Sequence, residues 1–174
     1  VINSLAILAA VAGLGANLDA AAAALGDVAI ARGRGRRHRI ATAAGEYVVI
    51  DDSYNASPAS MRAAFEVLGA AHPQGTGRRL AVLGDMLELG GDSERLHAGL
   101  ARNLESADVD QVFTTGDLMA ALDAALPAPM RGGHAATPEL LLPIVLAAVQ
   151  AGDVVLVKGS LGSRVGPIAE ALIN

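Results

Sequence analysis

A chain of 174 residues suits one main domain with room for an appendage, and at 52% hydrophobic it can bury a real core. Aromatic residues make up only 2%, so that core must be built from Ala, Val, Leu and Ile. The absence of Cys excludes disulfides and thiolate metal sites and fits a reducing compartment, while a net charge of −5 gives no global attraction to nucleic acid.

Taken in order, Val1 to Leu25 reads as two Ala-rich helices broken at Gly13-Leu14-Gly15, with Asn17 or Asp19 near the second start. Nearly every position is Ala, Leu, Val or Ile, and so wide an apolar surface expects cover from something outside the chain. The run from Leu5 to Leu14 is too short to cross a bilayer and lacks the flanks of a signal peptide, so a cytoplasmic protein without membrane insertion is expected. The chain opens on Val1 rather than Met, and a preceding region is expected. Arg32 to Arg39 holds five Arg and His38 in eight residues, which suits either a solvated segment or a phosphate contact. Gly33-Arg34-Gly35 within it is a hinge-like break, and the domain boundary is placed near it.

His38 to Ala43 and Glu46 to Ile50 flank Ala44-Gly45 as a hairpin. The run Tyr47 to Ile50 ends in Asp51-Asp52-Ser53-Tyr54-Asn55. Ser57 is then placed as N-cap and Pro58 at the first position of a helix carrying Met61, Ala64, Phe65 and Leu68. Leu80 to Leu83 is the next strand, followed by the loop Gly84 to Gly91 and one helix from Ser93 with Leu96, Leu100 and Leu104 on one side. Gln111 to Thr115 is a strand, Leu118 to Leu126 a helix and Gly132 to Ala136 a short strand. Thr137-Pro138 starts a helix in which Pro143 requires a kink or a later start. Val154 to Val157 is a strand ending in Lys158-Gly159-Ser160, and the last helix carries Val165, Ile168, Ala169 and Leu172.

Short apolar runs alternating with amphipathic helices indicate an α/β fold, Rossmann-like, with a mostly parallel sheet flanked by helices. Such a sheet collects the polar residues that follow its strands on one rim, where open α/β sheets bind ligands. No P-loop and no G-x-G-x-x-G after a strand is present. Lys158, the chain's one Lys, precedes a glycine turn and a helix start, which suits an anion; it suits equally a structural ion pair to Asp52 or Asp85. Asp85 and Glu88, with His97 one turn into the next helix, suit a substrate amine or water-mediated Mg²⁺. Asp51, Asp52 and Asp85 with Thr114 or Thr115 and Lys158 also suit the acidic pocket of a receiver-like phospho-acceptor domain. Against that, Asp85 comes one βα unit too early and Lys158 is followed by Gly, not Pro. A third alternative is a stand-alone nucleotide- or peptide-binding module, which requires that Val1 to Leu25 be covered within a monomer or dimer.

Three stretches together, Asp51 to Met61, Val82 to Gly90 with His97, and Val157 to Ser160, resemble the C-terminal part of the MurF branch of the Mur ligases. These are the UDP-N-acetylmuramoyl-tripeptide:D-alanyl-D-alanine ligases of peptidoglycan synthesis. The order and spacing hold over nearly the whole chain; Ser57 stands where the branch often has Asn, and Val165 where many members have Met. The resemblance implies a bacterial three-domain enzyme that activates the tripeptide carboxylate of UDP-MurNAc-tripeptide with ATP as an acyl phosphate. The amine of D-Ala-D-Ala then attacks it. It further implies that residues 1–30 are the last helices of the central ATPase domain and 31–174 the C-terminal domain. The P-loop and most of the Mg²⁺ site would then lie in the part not present here, and the fragment alone would be inactive. Carried over by position, Arg34, Asp52, Tyr54 and Asn55 face ATP, Arg36 competing with Arg34. Asp85, Glu88, His97, Lys158, Ser160 and Arg164 face the dipeptide and acyl phosphate.

Overall fold

The computed structural model describes residues 2–28 and 31–174. They divide into two compact units, Val1–Ala31 and Arg32–Asn174. The first holds α1 (Ile2–Gly13) and α2 (Leu18–Gly26), in contact with each other. Asn17 starts α2 by accepting the Ala20 N–H at 2.9 Å. Leu5, Ile7, Leu14 and Leu18 are exposed.

The second unit is a six-stranded sheet in the order β1-β2-β6-β3-β4-β5. β1 (Arg36–Thr42) and β2 (Gly45–Asp52) form the antiparallel hairpin, turning at Ala43-Ala44. All other pairings are parallel, through β3 (Arg79–Gly84), β4 (Gln111–Thr115), β5 (Arg131–Ala135) and β6 (Val154–Lys158). The last strand is thus inserted between β2 and β3. Its alternation makes it central: Val154 and Leu156 pack on one face, Val155 and Val157 on the other.

Each face is covered by helices. α3 (Pro58–Gly69), α4 (Ser93–Ala98), α5 (Ala101–Ser106) and α6 (Met119–Ala125) close the first core, around Ile50, Phe65, Leu83, Leu104, Met119 and Leu156. α7 (Pro138–Ala148) and α8 (Gly166–Ile173) close the second, around Val82, Phe113, Val145, Val157, Ile168 and Leu172. Each large aliphatic side chain buried this way contributes about 1.5–3 kcal/mol.

One local expectation changes and a second narrows. The single helix from Ser93 is two short helices, because the chain tightens into i→i−3 bonding at Gly99-Leu100, where Leu100 N–H donates to His97 O. Helix α7 begins at Pro138 and runs through Pro143, which removes the later start and leaves the kink of the two expectations. Ser57 caps α3 with a reciprocal bond to Ser60, and Pro58 occupies the first turn as expected.

At the rim opposite the polar loops, Asp153 is 1% exposed and accepts the Arg78 backbone N–H at 2.8 Å, the Arg78 guanidinium at 2.8 Å and the Gln150 N–H at 2.9 Å. It fastens the start of β6 to the start of β3. Replacing Asp153 by Ala leaves those donors unmatched and is expected to cost about 3 kcal/mol in urea unfolding of the domain. A loss below about 1 kcal/mol would show that water replaces the carboxylate.

Candidate functional site

The two carboxylates that end β2 part company, because successive strand residues point to opposite faces. Asp51 turns to the α8 side. Its oxygens accept the Gly33 N–H at 3.0 Å and the Ser53 hydroxyl at 2.6 Å. The Tyr54 N–H in turn donates to Gly33 O at 3.0 Å. Gly33 has φ +72°, and a Cβ there would lie 3.0 Å from the Tyr54 nitrogen, so only glycine suits this crossing. The crossing brings the Arg34 guanidinium over the Tyr54 ring, 4.3 Å from its centroid.

Asp52 turns to the α3 side and meets Lys158, its register partner on β6. Lys158 Nζ donates to Asp52 Oδ2 at 2.6 Å and to Asn55 O at 2.8 Å. Lys158 is 2% exposed, whereas the Asp52 side chain is 26% exposed. Of the two expectations for Lys158, an open anion contact and an ion pair, the structure forms the pair with Asp52. Asn55 is exposed, its Oδ1 accepting the Ala56 N–H.

On the neighbouring loop, three more of the expected substrate-side groups are tied into the fold. Asp85 accepts the Met119 N–H at 2.8 Å and the Leu118 N–H at 3.4 Å, so it caps α6. Gly116, at φ +107°, lets it approach; a Cβ there would lie 2.5 Å from the carboxylate. His97 is fully buried, with Nε2 accepting the Met86 N–H at 2.9 Å and Nδ1 facing Ser93 O at 2.7 Å. A donor on one side and a carbonyl on the other require the neutral Nδ1–H tautomer. Ser160 joins the loops: its N–H donates to Asp85 O and its hydroxyl accepts the Leu87 N–H, both at 3.0 Å.

Glu88 and Arg164 differ. Both are exposed, and both hold left-handed backbone, φ +64° and +56°. That conformation is costly for side chains other than glycine and concentrates at functional sites. Arg164 is also where two clefts meet. One, of about 390 Å³, runs past Gly33, Ser53 and Tyr54; the other, of about 270 Å³, lies over the ends of β4 and β5. Arg164 and Glu139 line both. The Glu139 carboxyl is held below the usual carboxylate range, by its own backbone N–H first, then by Thr137, and more weakly by Arg164. The smaller cleft is also lined by Asp117 and by Thr115, whose buried Oγ1 has no hydrogen-bond partner among the described residues.

Thr115 was legible only as one of two rim threonines, and Asp117 and Glu139 carry no motif. Asp52 and Arg34 line a separate cleft of about 320 Å³ against α3. The acidic pocket of a receiver does not form. Asp51, Asp52 and Asp85 serve three different partners, and the described residues contain no cluster suited to a metal ion.

Residues 35–161 match the family described as Mur ligase, glutamate ligase domain. This chain belongs to the Mur ligase family. A UDP-N-acetylmuramoyl-tripeptide--D-alanyl-D-alanine ligase of Mycobacterium tuberculosis is 36% identical to this Mur ligase domain over 99% of the chain and 37% of that protein. MurF from Acinetobacter baumannii superposes with a TM-score of 0.78 at 28% identity, covering 98% of this chain and 36% of that one. MurF from Thermotoga maritima, solved in complex with ADP, gives 0.73 at 26% identity, over 94% and 35%. The Mur ligase domain therefore spans little more than a third of the proteins it matches. No described helix is long and apolar enough to cross a membrane.

If the backbone at Glu88 serves its side chain's task and not the fold, Glu88→Gly relieves strain. It is expected to raise stability by about 0.5–1 kcal/mol, the left-handed cost of about 1–2 less the entropy of glycine. Thermal unfolding of the domain checks this; a fall in stability would mean that Glu88 makes a contact that holds the loop.

Proposed function

We propose that this chain is the C-terminal domain of an ATP-dependent ligase that adds D-alanyl-D-alanine to UDP-N-acetylmuramoyl-tripeptide in peptidoglycan synthesis, in the bacterial cytoplasm. One observation carries the reading beyond kinship: Arg164, an exposed cation on strained backbone, stands where the cleft beside Tyr54 meets the cleft over Thr115. A ligation needs the nucleotide side and the amine side to converge on one charged centre, and the lining of both clefts by Arg164 supports that role for it.

In this scheme the tripeptide carboxylate attacks the γ-phosphorus of ATP and ADP leaves. The dipeptide amine then attacks the acyl carbon, phosphate leaves, and the amine gives up a proton. Arg34 with Tyr54, Asp52 and Asn55 belong to the nucleotide side. Arg164 stabilises charge developing on the transferred phosphate, a role worth most in a site closed to water. The smaller cleft suits a zwitterion. Asp117 and Glu139 attract the ammonium, and the Thr115 hydroxyl, buried without a partner in the wall of the cleft, has a hydrogen bond to give to a backbone-like oxygen once the wall admits one. Mg²⁺ would neutralise phosphate charge; the rim carboxylates Asp51, Asp52 and Asp85 are spread over three different partners and form no cluster suited to a metal ion among the described residues, so it is assigned to the preceding ATPase region. Residues 1–30 are read as the last helices of that region.

The test uses the intact ligase carrying this chain, with UDP-MurNAc-tripeptide, D-Ala-D-Ala and ATP. Amide formation with one ADP released per bond is expected, and none from the 174 residues alone; ligation by the fragment would overturn the division of the site. In the intact enzyme, Thr115→Val is expected to raise KM for the dipeptide about tenfold and leave KM for ATP unchanged. Since the substitution removes an orphaned hydroxyl without changing shape, unfolding should show no loss of stability. Equal shifts in both KM values would dissociate Thr115 from the amine side.

A further inference from the structure

We propose that Lys158 is a positioning residue for nucleotide use, acting through Asp52 and the Asn55 loop and touching neither nucleotide nor dipeptide. The inference rests on the ligase reading above and assigns within it the one rim cation that is not exposed among the described residues.

The geometry sets two constraints. Lys158 lies on the α3 face of β6, whereas Thr115, two residues after Phe113 on β4, shares the opposite face; Lys158 lines neither cleft that meets at Arg164. At 2% exposure, with two of its protons directed at Asp52 Oδ2 and Asn55 O, the ammonium has no open approach for a phosphate. What it controls is its neighbour. Asp52 Oδ2 is held, and Asp52 Oδ1 makes no hydrogen bond among the described residues on a side chain left 26% exposed. Lys158 therefore fixes which Asp52 oxygen faces outward. Through Asn55 O it also fixes the loop that leads from Tyr54 into α3. Both effects fall on the nucleotide side, so the kinetic signature of losing Lys158 should fall there too.

Asp52→Ala by itself does not distinguish a nucleotide contact from a stranded buried ammonium, since it removes the partner of Lys158 in either case. The decisive experiment is a double-mutant cycle in the intact ligase, with KM for ATP and for D-Ala-D-Ala measured separately. Lys158→Met is expected to raise KM for ATP about tenfold or more and to leave KM for the dipeptide within about twofold. Lys158→Arg, which keeps a cation, should recover most of that loss. Asp52→Asn with Lys158→Met should be no worse than the worse single variant, because both changes break one link. Where Lys158→Met fails to fold, Lys158→Arg and the double variant, which buries a neutral pair, carry the test.

A rise in dipeptide KM, or a fall in kcat at unchanged KM for ATP, would overturn the proposal by placing the ammonium on the reacting groups. Multiplying effects in the double variant would overturn it as well. The unsubstituted enzyme is assayed first. If it forms no amide with D-Ala-D-Ala, the ligase reading itself fails and takes this proposal with it. If it does, the variants judge Lys158 alone.

Discussion

A buried ammonium is unfavourable unless an anion and a hydrogen-bond acceptor lie against it, and that requirement organises the rim of this domain. Lys158 meets it with Asp52 and Asn55 O, joining the last strand of the chain to the first parallel one. The partner must be Asp52 and not Asp51, because only every second residue of β2 faces the α3 side. Asp51 then falls to the other face, where it secures Gly33 and so sets Arg34 against Tyr54. Two adjacent carboxylates thus hold two different parts of the site, and the strand pleat alone decides which holds what.

The same logic explains what was readable from the residues and what was not. The elements were legible because they are local: Ser57-Pro58 announces α3, and the four-residue apolar runs announce strands covered on both faces. The insertion of β6 between β2 and β3 was not legible, since nothing in Val154–Lys158 names its neighbours. That order in turn decides the site. Motif residues such as Asp85, His97 and Ser160 stood out because their types suggest chemistry, yet each meets a backbone group. Their spacing reflects loop architecture as much as ligand contact. Thr115 was legible only as one of two rim threonines; that its hydroxyl is buried without a partner beside a cleft is decided by the fold.

A division of labour follows. Ser160 interlocks the loops after β3 and β6, Asp85 and His97 fasten the first of them to the helices beside it, and Lys158 ties the end of β6 to the loop after β2. Glu88 and Arg164, carried on the loops after β3 and β6, keep exposed side chains at the expense of left-handed backbone. Strain of this kind persists only where surrounding contacts over-determine the chain, and the interlocking supplies them. The braced groups and the presented groups are therefore parts of one device.

On the proposed ligase reading, that device would be half of a reaction centre. Arg164 is held on left-handed backbone but open to solvent, where a guanidinium stabilises charge weakly because water screens it. Its full effect needs a second surface to exclude water, while its placement must already be correct when that surface arrives. A domain built to close over a nucleotide should accordingly show ordered loops and an uncovered cation. A domain that works alone should instead bury its cation beside its own substrate. The contrast between Lys158, 2% exposed and paired, and Arg164, exposed on the wall of two clefts, is what the proposed reading requires of the first kind.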